Sequence, residues 1–366
     1  MLFILYASLI SFVGTFVVMP SVIKLAIKKR ILTRGGGRNS HEGFTPNIGG
    51  IAIFIGLLLS NLFLLGYYVK AQNALGSIID VNSLDKFLSY IIVTVSCIVM
   101  FIVGVSDDLK SLSSRVRFFI QLIVAFCLTY YGDIRIESLS GLFGIYEIPY
   151  ILSIIFSIIV VIFIINSFNL TDGLDALATT LGFFILSSFG VLFLLSEHYY
   201  DATLCFAGVS SLFAFWFYNK PPAKIFMGDS GSLVIGVIIA YSAIQLCNLP
   251  IDNSGTINPV FILCILAYPS VDTIRVFLVR IFAGKSPFSA DRNHIHHLLV
   301  DKDFNHAWAA FFAVMYSIVL TFICFLIRDY ATISFFVMVS LAILFIILPM
   351  ASFARSTTLK VLSFFK

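Results

Sequence analysis

The stretch from Tyr150 to Ala178 reads YILSIIFSIIVVIFIINSFNLTDGLDALA. Up to Ile165 it carries no charged residue and is almost unbroken hydrocarbon. A run of that kind is a candidate for crossing a bilayer as a helix. Its apolar residues do not alternate with polar ones, as the strands of a membrane β-barrel would require. Immediately afterwards the character changes: Asn166, Asn169, Asp172 and Asp175 follow one another at helical spacing. The same pattern, an apolar run ending in a polar cluster, recurs along the chain. Of the 366 residues, 60% are hydrophobic and only 11% charged, and the mean hydropathy is +1.03. Such a composition excludes an ordinary water-facing domain. No long polar segment exists to form a second unit. The expectation is an all-α integral membrane protein, a single domain over residues 1–366.

Eleven spans are expected, at about 2–27, 48–69, 87–105, 116–131, 150–166, 177–195, 202–217, 231–247, 259–280, 307–327 and 331–349. The basic residues test the count. With the N-terminus outside and strict alternation, all of the 23 lysines and arginines fall on the inside except Lys70, Lys86, Arg135 and Arg328. Positive charge gathers on the cytoplasmic side, so this orientation, with the C-terminus inside, is the expected one. The opening MLFILYASLI has its basic cluster after the apolar run, the polarity of a first span rather than a cleaved leader. The six cysteines form no C-x-x-C pair and read as small core residues. The loop with Ile134, Ile136 and Leu139 alternates as a short external hairpin would.

The same parity puts five polar clusters on the cytoplasmic face. In VGVSDDLKSLSSRVRFFIQ, Asp107 and Asp108 end a span and Lys110, Arg115 and Arg117 follow. Paired carboxylates beside lipid are costly unless they meet a cation, a metal or water. They read either as a solvated helix end or as an acid pair handling a metal or proton while the cations hold phosphate. In NSFNLTDGLDALA, Asn169, Asp172 and Asp175 would form one stripe on a continuing helix, or be re-aimed by a break at Gly173. Oxygen ligands of this kind suit Mg²⁺; one of them alone could cap the next helix. In KPPAKIFMGDSGS, Asp229 lies between Gly228 and Ser230-Gly231, where backbone can approach a ligand or start the next span. SADRNHIHHL brings Arg292, His294, His296 and His297 together. The adjacent arginine argues against zinc and for a grip on phosphate or sugar. RGGGRNSHEGFTPNIGG, with His41, is either a phosphate loop or a flexible one. Asp272 and Arg275, one helical turn apart in the ninth span, read as a neutralising pair.

Acid pairs, amides, histidines and cations on one membrane face suggest phosphoryl transfer involving a lipid phosphate. In the order DDLK, NLTDGLDALA, FMGDSGS and SPFSADRNHIHH, with TPNIGG before them, the chain resembles the polyprenyl-phosphate N-acetylhexosamine-1-phosphate transferases. The resemblance covers nearly the whole chain. HIHH is similar to the branch that begins O-antigen, common antigen and teichoic acid linkage units.

What the resemblance implies is specific. A UDP-HexNAc, most simply UDP-GlcNAc, donates its sugar-1-phosphate to undecaprenyl phosphate, and UMP leaves. Mg²⁺ is the implied cofactor, with Mn²⁺ a substitute. The catalytic carboxylates would be Asp107, Asp108, Asp172 and Asp175, the first two at the lipid phosphate and the last two in the nucleotide pocket. Asp229 with Asn169 would hold the metal. Lys110, Arg115, Arg117, Asn166, His41, Arg292, His294, His296 and His297 would contact substrate. The enzyme would sit in a bacterial inner membrane with its site on the cytoplasmic face and no nucleic-acid partner, and the resemblance is compatible with a homodimer. The alternatives are a phospho-MurNAc-pentapeptide translocase, a related transferase with a different three-histidine stretch, and a transporter, which would place ionisable groups near the midplane and show repeats. One departure stands out: Ala176 occupies a position where many similar sequences carry glycine.

Overall fold

Every apolar run expected to cross the membrane folds as helix in the computed structural model, which describes residues 1–34, 44–74, 81–249, 258–284, 286 and 293–353. His41 and Arg292 lie outside the described residues. The long helices are α1 (Leu2–Lys29), α2 (Gly50–Ala74), α3 (Val81–Lys110), α5 (Tyr150–Asn169), α6 (Leu177–Leu195), α7 (Tyr199–Asn219), α8 (Asp229–Asn248) and α12 (His306–Leu326). Among the described residues these eight are long and apolar enough to span a bilayer.

The expected eleven differ from this at three places, two of them for a physical reason. The fourth region forms α4 (Ser114–Phe126), only 13 residues, continued by a π-helical turn at Cys127–Tyr131. Its first turn holds the cap Ser113 and the charged Arg115 and Arg117, which shortens the apolar part. The ninth region breaks into α9 (Pro259–Ile265) and α10 (Ala267–Phe282), bent by 84°. Pro269 explains the break: it has no amide hydrogen and its ring clashes with the carbonyl four residues back, at Ile265, where α9 stops. Taken as one span, the pair raises the count to nine. The last region is α13 (Ala331–Phe353), 23 residues without a charge, where a span was expected; it stands outside the eight because only Ala331–Ile346 enters that count.

The helices pack inside out relative to a water-soluble bundle. On α1 the exposed residues include Leu2, Leu5, Leu9, Val13 and Phe16, while the buried face is Ala7, Ser11, Thr15 and Met19. In lipid an apolar outer surface costs nothing, and small or hydroxylated residues let helices approach closely and bond. Ser11 Oγ donates to the Ala207 carbonyl at 2.7 Å, and Thr15 Oγ1 lies 2.8 Å from Ser211 Oγ, tying α1 to α7. At the centre stands α8, buried along almost its full length and packed against α2, α3, α5, α6 and α7.

Two small ribbons complete the chain. β1 (Leu32–Arg34) pairs antiparallel with β2 (Phe44–Pro46). β3 (Ser138–Leu142) and β4 (Ile145–Glu147) form the anticipated hairpin, in register Ser138↔Glu147 and Leu142↔Ile145. The C-terminal ends of α3, α5 and α7 meet the N-terminal ends of α2 and α8. α11 (Ile295–Val300) closes over the turn that follows α5. That meeting point gathers the polar clusters.

Candidate active site

The N-terminus of α8 is the hub. TPNIGG lies along FMGD as a strut: Phe226 N–H donates to the Pro46 carbonyl at 2.8 Å, and Gly49 and Gly50 N–H donate to the Phe226 and Met227 carbonyls at 3.0 and 2.8 Å. Gly228 then turns with φ 72°, and a Cβ there would stand 1.9 Å from the Asn47 carbonyl oxygen. Only glycine fits that turn. The first amides of α8 lack helical partners, as at any helix start. Here a carboxylate from another helix supplies them: Asp229 and Ser230 N–H donate to Asp108 Oδ1 and Oδ2 at 2.9 and 3.0 Å. Gly228 N–H donates to Asp172 Oδ2 at 2.8 Å. So the carboxylate that caps α8 is Asp108, from another helix, and no side chain of its own first turn does so.

Asp107 points elsewhere than its neighbour. Its Oδ1 accepts the Leu112 N–H, and its Oδ2 accepts from Arg117 Nη1 at 2.8 Å. The same Nη1 donates to Asp229 Oδ2 at 2.6 Å. Asn169 Nδ2 donates to Asp229 Oδ1 at 2.9 Å and to Ser232 Oγ at 2.8 Å. Helices α3, α4, α5 and α8 thus each place one polar group at a single point. Two carboxylates converge there on one positively charged nitrogen.

Other expected residues fall behind or beside this centre. Asn166, one turn below Asn169, is occupied by Gln121: its Nδ2 donates to Gln121 Oε1 at 2.7 Å. Asn169, Asp172 and Asp175 make no common stripe, because α5 ends at Asn169 and the chain turns before Gly173. Asp172 faces Gly228, whereas Asp175 accepts from Ala223 N–H at 3.2 Å and lies 3.3 Å from His306 Nδ1. Lys110 and Arg115 are exposed and are not among the partners of the central carboxylates.

The histidine stretch packs against that same turn. A Cβ at Gly173 would meet His296 Nε2 at 2.7 Å and His297 Nε2 at 3.3 Å. His294 Nδ1 lies 2.8 Å from Asp272 Oδ2. The expected Asp272–Arg275 pair is stretched to 4.0 Å, because both side chains turn to the histidine stretch.

Two ionisations outside the spans are shifted. Burial pushes the Asp172 carboxyl up to about 7, against the Gly228 hydrogen bond that lowers it. Burial pushes His296 down to about 3, so the ring is neutral near pH 7.

Two groups could hold a cation. Asp272, His294 and His296 bring three ligand atoms within 4.8 Å of one another. They are nitrogen-rich, a set that suits zinc rather than Mg²⁺, and two of the atoms already share a hydrogen bond at 2.8 Å. The convergent oxygens of Asp107 and Asp229, with the Asn169 amide, are the hard ligands Mg²⁺ prefers. They already accept a cationic group at one point, so the donor chemistry fits.

The family model for glycosyl transferase family 4 matches residues 90–247, the segment holding Asp107 through Asp229. The chain is 31% identical over 312 residues to the "Probable undecaprenyl-phosphate N-acetylglucosaminyl 1-phosphate transferase" of Bacillus subtilis, covering 84% of this chain and 80% of that protein. It is 30% identical over 289 residues to the "Undecaprenyl-phosphate alpha-N-acetylglucosaminyl 1-phosphate transferase" of Yersinia pestis, covering 77% and 72%. The enzyme of the same name from Escherichia coli K12 is 26% identical over the same shares. The chain belongs to glycosyl transferase family 4.

Sequence reasoning missed Gln121, Ser232, Asn219 and Tyr268. Asn219 Oδ1 accepts from Ala176 N–H at 3.0 Å and Thr179 Oγ1 at 2.7 Å, while its Nδ2 donates to the Ile225 carbonyl at 2.9 Å. It pins the Asp172–Asp175 turn to the strand leading to Gly228. Its signal was a lone amide before Pro221-Pro222, which by itself says only that a helix ends.

Proposed function

We propose that this chain transfers N-acetylglucosamine-1-phosphate from UDP-GlcNAc to undecaprenyl phosphate, yielding undecaprenyl-diphosphate-GlcNAc and UMP. One observation carries the reading: three motifs far apart in sequence, around Asp108 and Arg117, Asn169 and Asp229, meet through direct hydrogen bonds, in a member of a family whose relatives bear that activity in their names.

A lipid phosphate oxygen attacks the sugar-bearing phosphorus of the donor. The bond from that phosphorus to the bridging oxygen breaks, and UMP departs with the electron pair. A phosphate monoester, with its second pKa about 6, is already largely deprotonated at neutral pH. The protein therefore has mainly to align two anions and offset their charge. Arg117 supplies a fixed positive charge between Asp107 and Asp229. Asp229 and Asn169 would hold Mg²⁺, and Asp107 is the neighbouring carboxylate that shares Arg117 with Asp229. The ion, when bound, neutralises charge on the diphosphate. Asp108 holds the start of α8 in place beneath that point. Asp172 and Asp175 would face the nucleotide, and the histidines the sugar or diphosphate. The site lies on the cytoplasmic side of a bacterial plasma membrane, as the distribution of lysines and arginines favours.

The test is a transfer assay on purified protein in detergent with undecaprenyl phosphate, Mg²⁺ and radiolabelled UDP-GlcNAc, with UDP-GalNAc in parallel. Label entering the lipid fraction from UDP-GlcNAc, with equimolar UMP, is the expected result. Transfer from UDP-GalNAc alone would correct the sugar. No transfer from any UDP-sugar would reject the reaction. For sidedness, a cysteine at position 289 in a cysteine-free background should react with an impermeant thiol reagent only in inside-out vesicles.

A further inference from the structure

The geometry points to Asp272 as the positioning residue of the histidine stretch: from within the broken span it fixes the backbone and ring orientation of His294–His296 against the turn at Gly173. The inference rests on the transfer reaction proposed above, in which those histidines meet the donor.

Three residues on one face of α10, spaced i, i+4 and i+7, each reach a different point of the stretch. Tyr268 Oη lies 3.4 Å from His296 Nδ1. Asp272 accepts the Ile295 N–H on Oδ1 at 2.9 Å and faces His294 Nδ1 with Oδ2 at 2.8 Å. Arg275 Nη1 donates to the Asn293 carbonyl. The carboxylate is 2% exposed, so its charge must be met by protein, and the loop meets it. A carboxylate acceptor holds the His294 proton on Nδ1 and leaves Nε2 as the outward nitrogen, since the partner of one ring nitrogen sets the state of the other. His296 follows two residues on. Its Nε2 is buried, has no hydrogen-bond partner among the described residues, and is the atom that a Cβ at Gly173 would strike at 2.7 Å. The glycine therefore permits the contact, and Asp272 sets where the rings arrive. A clamp of this kind changes rate through orientation; outer partners of metal-ligating histidines commonly contribute about 10- to 100-fold, and the same scale is expected for a histidine that must be aimed at a substrate.

The arrangement also settles what Asp272 is for. A mere neutralising partner of Arg275 would sit closer than 4.0 Å and would not accept two donors from a loop more than twenty residues away in sequence.

Asp272→Asn keeps the shape but cannot satisfy both donors. Expected is a fall in kcat of about 10- to 100-fold with a KM for the UDP-sugar changed little. The decisive measurement is a double-mutant cycle with His294→Gln. If Asp272 acts through His294, Asp272→Asn adds little further loss in the His294→Gln background. Multiplying losses would overturn the inference and leave Asp272 a general stability residue. A second readout needs no turnover. In protein labelled with ¹⁵N-histidine, His294 should show a protonated, carboxylate-bonded Nδ1 that disappears in Asp272→Asn; an unchanged His294 signal would also overturn it. Wild-type inactivity alongside the expected ¹⁵N change would count against the reaction and not against the clamp.

Discussion

At the scale of single residues, adjacent or nearby carboxylates do different work because their surroundings differ. Asp108 is a cap for α8, Asp107 a partner of Arg117, and Asp172 a buried acid on the Gly228 amide. Burial holds the Asp172 proton on until about pH 7. Its folded value is therefore raised: the group favours the folded chain most at low pH, and that contribution is lost as pH rises through about 7. Its charge develops over the same range. Wild-type turnover should climb between pH 6 and 8, and Asp172→Asn should be slower and flat there; an unchanged inflection in the variant would assign it to another group. Ala176 is a second case. It sits at φ 63°, the left-handed region where a Cβ is disfavoured and glycine is at home. Ala176→Gly should be tolerated within about 1 kcal/mol, since relief of strain offsets a lost buried methyl, whereas Ala176→Val should cost about 2 kcal/mol or more. Thermal unfolding in detergent reads both; equal tolerance would contradict the strain.

At the scale of elements, the site depends on turns held by side chains from elsewhere. Asn219 makes three hydrogen bonds that join the turn after α5 to the segment before α8. Asn219→Ala strands a buried amide and a buried carbonyl, a loss of about 3 kcal/mol. The thermal midpoint should drop and activity fall with it, without a selective change in the KM for donor; an unaltered midpoint would show that the turn is held otherwise. Such links explain what the sequence made legible and what it hid. Apolar runs were readable because lipid imposes length and composition on each helix separately. The motifs were readable because each packs several polar groups into a few residues. The break at Leu266 was signalled by Pro269 and passed over inside an otherwise apolar run. Gln121, Ser232 and Tyr268 stayed hidden because each is one ordinary residue on a helix, given meaning only by a partner 28 to 63 residues away or reached across the bundle. Asp272 was noticed and its pairing with Arg275 is present at 4.0 Å, but its shorter bonds go to another element, which the spacing did not show.

At the scale of the molecule, an apolar shell surrounds α8, and the polar groups are concentrated where its N-terminus meets α3, α4 and α5. An arrangement with chemistry at one end of the bundle suits a reaction between a water-soluble nucleotide sugar and a lipid whose phosphate lies at the membrane surface. A transporter would need its ionisable groups along a path through the middle. The outward apolar faces of α1 and α12 need only lipid.

The central claim is that Asp229 is the point on which four segments build one metal-dependent transfer site. The most direct measurement is the rate of GlcNAc-1-phosphate transfer by Asp229→Asn across a Mg²⁺ titration, beside wild type with and without EDTA. Wild-type activity should be abolished by EDTA and restored by Mg²⁺, and the variant should stay folded yet fail to turn over at any Mg²⁺ concentration. Wild-type turnover in Asp229→Asn, or full activity of the native chain without divalent metal, would contradict it.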